Sequence, residues 1–157
     1  MRSEAIPTAS QEVIDSGWLI GPAGALLLAS QYRLEWAWQA DKKGLGSFEY
    51  EINDVWIPND DIRETESLLA AKSFLRSASF ATSMLRKANG LPGSEHLACT
   101  ISVPMTQEFA ASGTTVKFFT RRGHYPDWLS NLDVFHTEGI AVIEISEINN
   151  PSIIDFK

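Results

Sequence analysis

At 157 residues, with 44% hydrophobic and 21% charged side chains, the chain has the composition of an ordinary globular protein. Its formal net charge of −7 argues against nucleic acid as a partner, because phosphate binding is driven by Lys and Arg releasing counterions. The longest apolar run, Ala23 to Ala29, is interrupted by Gly24 and falls far short of the ~20 residues a bilayer span needs, so no membrane segment is expected.

The first twelve residues lack the apolar stretch of a secretory leader and are expected to be a ragged start to one domain spanning 1–157. A lone cysteine, Cys99, cannot close an intrachain disulfide, and a reducing, cytoplasmic setting follows. Trp18 to Ile20 and Ala25 to Ala29 read as short strands joined through Gly21-Pro22-Ala23-Gly24 into a β-hairpin, since Pro and Gly supply the turn. Tyr32 to Trp38 alternates apolar and polar residues, while Leu34 and Trp38 also match helical spacing, and both readings stay open. After a turn at Lys42-Lys43-Gly44-Leu45-Gly46, Phe48, Tyr50 and Ile52 alternate with Glu49 and Glu51. That pattern predicts a half-buried strand with its acids toward solvent, ended by a turn or bulge at Asn53-Asp54.

A long helix is expected to open after Pro58, where Asp61 and Glu64 have capping-box spacing, and to stop at Asn89-Gly90 with Pro92 beyond. Ala71, Phe74, Leu75, Ala78, Ala81, Leu85 and Ala88 form its apolar stripe, with Lys72, Arg76 and Lys87 on the opposite side and a bend or break at Ser77-Ala78-Ser79. Three strands follow, His96 to Val103, Thr114 to Thr120 and Gly139 to Ile145; the last is the most apolar and is expected at the sheet centre. Between the last two, Arg121-Arg122-Gly123 reads as a turn and Asp127-Trp128-Leu129 as the start of a short helix. Strands, a long helix, then strands predict an α+β fold: a largely antiparallel sheet with one long amphipathic helix packed on one face.

No catalytic, cofactor or metal constellation emerges. His96 and Cys99 stand three apart on a strand and so face opposite sides, which makes Cys99 a buried, inert thiol. His96, His124 and His136 have none of the spacings of zinc sites, and Asp54, Asp60 and Asp61 lack the glycine and terminal glutamate of a calcium loop. Gly44-x-Gly46 has neither the Lys-Ser/Thr of a P-loop nor the third glycine of a dinucleotide fingerprint. An alternative is a small enzyme using Asp127 with His124 and His136 as acid and base in the 121–136 loop. Another is a structural or adaptor homodimer formed through exposed Trp36 and Trp38.

Charge is organised in blocks. Glu49, Glu51, Asp54, Asp60, Asp61, Glu64 and Glu66 stand against the single base Arg63, whereas Lys72, Arg76, Arg86 and Lys87 have no acid among them. Mutually repelling acids add nothing to a core, so they serve solubility or partner selection, and Tyr50 and Trp56 interleaved with them have the composition of an interface. The expected partner-binding set is Glu49, Tyr50, Glu51, Asp54, Trp56, Asp60, Asp61 and Glu64. The stretch Gly17-Trp18-Leu19-Ile20-Gly21-Pro22-Ala23-Gly24-Ala25-Leu26-Leu27-Leu28 resembles the opening of small bacterial immunity proteins of polymorphic-toxin and effector systems. That resemblance implies a cytoplasmic, non-enzymatic α+β protein that binds and blocks one cognate protein toxin, often through acidic residues facing a basic nuclease. It carries no functional residue over to this chain.

Overall fold

The computed structural model of the chain describes residues 5–37, 44–105, 113–123 and 126–150. The chain is α+β. Helix α1 (Thr8–Ser16) leads into strands β1 (Trp18–Ile20) and β2 (Leu26–Leu28); α2 (Leu45–Ile52) and β3 (Asp54–Ile57) precede the long α3 (Glu66–Ala88). Strands β4 (Leu97–Pro104), β5 (Thr114–Thr120) and β6 (Glu138–Glu144) follow, and α4 (Ile145–Asn149) closes the described chain. The main sheet has the order β3-β5-β4-β6 with every pair antiparallel, and β1 and β2 pair as the expected hairpin. No helix among the described residues is long and apolar enough to cross a membrane.

Alternation along the strands decides where the core sits. Val55, Ile57, Val116, Phe118, Cys99 and Ile101 turn to one face of the sheet and meet Phe80, Met84 and Leu85 of α3. The hairpin joins this core through Trp18, whose ring meets Phe118 edge-on at 5.3 Å and whose indole N–H donates to the Met84 carbonyl at 2.8 Å. Alternate residues of β2 look the other way, so Leu27 packs with Phe48 and Ile52 in a second cluster under α2. On the opposite face of the sheet, Ala98 and Phe119 are covered by Leu129, Leu132 and Tyr50.

Several expectations are corrected. Residues 45–52 form a helix, not a strand: Leu45, Phe48, Glu49 and Ile52 follow the i, i+3, i+4, i+7 rule, and this spacing buries Phe48 and Ile52 against β2. Asp54, expected in a turn or bulge with Asn53, instead opens strand β3 (Asp54–Ile57). Helix α3 starts at Glu66 rather than after Pro58, because Asn59 and Asp61 bond back to Ser73 and Arg76 and hold that stretch along the helix flank. It is unbroken at Ser77-Ala78-Ser79: Ser79 bonds back to the Leu75 carbonyl and Ser77 shares a hydrogen bond with Thr114, so the hydroxyls are satisfied within a helix. Its buried face is rotated from the expected stripe, with Ser73, Arg76 and Ser77 buried and Ala71 exposed, although Ala81, Leu85 and Ala88 are buried as expected.

Helix α1 begins within the stretch expected to be ragged. Strand β6 lies at the sheet edge, not the centre; it is apolar because Ala141 and Ile143 pack toward α3 while Val142 packs toward Leu129. The Tyr32–Trp38 ambiguity resolves into a 3-10 turn at Leu34–Trp36. Trp36 is half-buried against the Leu27–Phe48 cluster rather than exposed, and Trp38, Lys42, Lys43 and His124 lie outside the described residues.

Candidate functional site

The acid-rich window does not fold into one face. Glu49 sits on the inward side of α2 and is wholly buried, which removes it from any docking surface. One of its carboxylate oxygens accepts the Leu26 N–H at 2.9 Å, and the other accepts the backbone N–H of Thr120 at 2.6 Å and its hydroxyl at 2.5 Å. One turn later Asn53 does the matching work: its side-chain oxygen accepts the Leu28 N–H at 2.8 Å, and its amide donates to the carbonyls of Leu26 and Phe118 at 2.8 and 3.3 Å. These two side chains satisfy backbone groups of β2 and β5 that no strand reaches, so α2 stitches the hairpin to the main sheet.

Tyr50 and Glu51 turn instead toward a groove of about 560 Å³ bounded by the start of α2, Thr120 to Arg122, Asp127 and Trp128. Tyr50 is half-buried there, edge-on to Phe119 and Trp128, with the Lys117 ammonium 4.7 Å from its ring centre. Arg122 Nε donates to the Thr120 hydroxyl at 3.2 Å, which connects the groove wall to buried Glu49. Arg121 pairs with Glu144 at 2.7 Å on the far side of this wall.

Asp54 and Trp56 occupy alternate positions on β3 and point away from α3. Asp54 lies opposite Lys117 in the ladder and pairs with it at 3.2 Å. Trp56 is 56% exposed, the largest side chain left so open among the described residues. It lies over Gly113, whose φ of +132° suits glycine and whose missing Cβ leaves the space; a Cβ there would stand 2.7 Å from the indole and 2.5 Å from the Ile57 carbonyl. Asp60 is exposed just beyond β3.

Asp61 and Glu64 are clipped to α3. Arg76, expected on the solvent side, is buried; it holds the Pro58 carbonyl at 2.8 Å and both Asp61 oxygens at 2.6 and 2.8 Å. Those hydrogen bonds hold the Asp61 carboxyl below the ordinary carboxylate range. Lys72 pairs with Glu64 at 2.6 Å. Of the expected set, Asp54 and Trp56 share one face of β3, Asp60 is exposed in the chain that follows it, Tyr50 and Glu51 line the groove, Asp61 and Glu64 belong to α3, and Glu49 belongs to the core.

Burial pushes the Cys99 thiol up to about 12, so it holds its proton among core side chains, while His96 is exposed. Asp127 lines the groove and His136 does not, and both are exposed. Among the described residues no group of three or more His, Cys, Asp and Glu side chains could hold a metal ion. The Glu49–Asn53 pair was missed from sequence; its signal was the helical spacing of Leu45, Phe48, Glu49 and Ile52, which puts both polar side chains one turn apart on the buried side. No family model, curated protein or solved structure matches this chain.

Proposed function

We propose that this chain is a non-enzymatic binding protein of the immunity type, which docks Trp56 and the acids beside it on a basic surface of a cognate protein toxin and blocks it. The observation that carries the reading is Trp56, 56% exposed on a strand whose ladder to β5 fixes its direction, with Asp54 on the same face of that strand and Asp60 exposed in the chain just after it. A rigid indole offers a large contact area at small entropic cost, and aromatic anchors of this kind dominate binding energy when a partner desolvates them. The surrounding acids steer a basic partner and orient it. Glu51 extends the acidic rim toward the groove, and the sequence resemblance at Gly17 to Leu28 points to the same class.

The test is the affinity of the captured partner for Trp56→Ala and for the double reversal Asp54→Lys, Asp60→Lys. Trp56→Ala weakens binding by about 2 kcal/mol or more, roughly 30-fold. The double reversal slows association and abolishes its salt dependence. A partner retained equally by both variants overturns the reading. Of the described residues of the acid–base alternative, Asp127 lines the groove and His136 does not, and turnover lost in Asp127→Asn would be its evidence.

A further inference from the structure

The most apolar strand of the sheet, β6, is also an edge, and among the described residues it pairs only with β4. Which of its backbone groups face that edge follows from one bond. The Met105 N–H donates to the Thr137 carbonyl at 2.9 Å, just beyond the Pro104–Glu138 end of the β4–β6 register. In an antiparallel ladder the residues alternate, so Thr137, Gly139, Ala141 and Ile143 face β4. Glu138, Ile140 and Val142 then direct their N–H and C=O groups outward. Glu144 would continue the series, but its N–H is taken by the Glu147 carboxylate at 2.7 Å in the capping box of α4. Among the described residues the open stretch therefore runs from Glu138 to Val142, with Ile140 at its midpoint. Edges of this length are usually blunted by Lys, Pro or a bulge, and Gly139 to Ile143 has none of these.

We propose that β6 pairs antiparallel with β6 of a second copy, about a two-fold axis at Ile140, to join two sheets into one continuous sheet. An antiparallel copy centred there matches Ile140 to Ile140 and Glu138 to Val142, donor to acceptor, over the whole open stretch. The acids at its ends fix the register. A shift by two residues one way sets Glu138 against Glu144, and the other way sets Ile140 against Glu138; the centred register keeps the carboxylates apart and sets Ile140 against Ile140. A basic foreign strand finds less to recruit it at the Glu144 end, because that carboxylate is already paired with Arg121. This surface lies at the opposite end of the sheet from β3, so it stands or falls separately from the Trp56 face.

Sedimentation equilibrium of the full chain tests it, with Ile140→Pro and Ile140→Lys beside the wild type. Ile140 packs in none of the buried clusters and its N–H faces the open edge, so Pro there removes an intermolecular donor without touching the bonds to β4. The wild type shows a reversible species of twice the 17.4 kDa chain mass, and each variant raises the dissociation constant by about tenfold or more. Hydrogen exchange on the wild type gives a second readout that needs no variant: the Ile140 and Val142 amides slow as concentration rises. A wild type that stays monomeric at every concentration reached overturns the proposal. So does a dimer that folded variants leave intact, or a dimer whose Ile140 and Val142 amides exchange as in the monomer.

Discussion

Glu49 and Asp60 come from the same acid-rich window, yet one is wholly buried with both oxygens occupied by backbone and hydroxyl donors of β2 and β5, and the other is open to solvent. The difference is one of backbone period. Glu49 sits on a helix whose buried side carries Phe48 and Ile52, so burying them brings its carboxylate to the strand ends. Asp60 lies beyond the last residue of β3, where no neighbouring strand needs an acceptor. The same side chain thus acts as part of a sheet in one place and as surface charge in the other, and local charge density alone does not distinguish the two.

The largest expected effect is at the buried pair. Glu49→Ala leaves the N–H groups of Leu26 and Thr120 unsatisfied and costs about 3–5 kcal/mol in urea denaturation. Glu49→Gln keeps the shape and an acceptor oxygen and costs less. Asn53→Ala strands the Leu28 N–H and two carbonyls and costs about 2–4 kcal/mol. If either acid-to-neutral change at Glu49 were as mild as a change at Asp60, the contrast between the two positions would collapse.

Asp61 gives an intermediate case, exposed yet tied to buried Arg76. Its folded carboxyl titrates below its ordinary value of 3.8, chiefly through the hydrogen bonds from Arg76. The unfolded chain therefore takes up that proton first as pH falls, so the contribution is full above the ordinary value and lost as pH drops through the lowered one. Asp61→Asn is expected to cost about 1 kcal/mol or less at neutral pH, since the carboxylate is 65% exposed, and to converge with wild type in acid; paired urea titrations across pH show this.

How much was legible in the sequence follows from the same distinction. The hairpin, the stop at Asn89-Gly90, and the strands β4 and β5 were readable because β-branched runs and Gly/Pro punctuation are local signals. Residues 48–52 were misread because so short a run fits both the two-residue and the helical period. The burial of Glu49 and Arg76 was illegible for a different reason: their partners, Leu26 with Thr120 and the Pro58 carbonyl, are brought there only by tertiary folding. Trp56 was picked out by its acidic neighbours, but its lodging over Gly113 depends on a β3–β5 pairing far apart in sequence.

The smallest expected effect is at the hairpin turn. Ala23 has φ 55° and ψ 19°, a left-handed conformation that costs a residue with a Cβ about 1 kcal/mol. Ala23→Gly is therefore expected to raise stability slightly, by a few tenths of a kcal/mol once the added freedom of the unfolded chain is counted, read as a small rise in the urea midpoint.

The most direct measurement is salt-dependent capture from the native host with wild type, Trp56→Ala and Asp54→Lys/Asp60→Lys, each first shown to unfold at the wild-type urea midpoint. The account predicts that wild type retains one basic protein at low salt and that both variants lose it while keeping their stability. Equal retention by all three, or no retained partner at any salt concentration, would contradict the assignment of the Trp56 face as the docking surface.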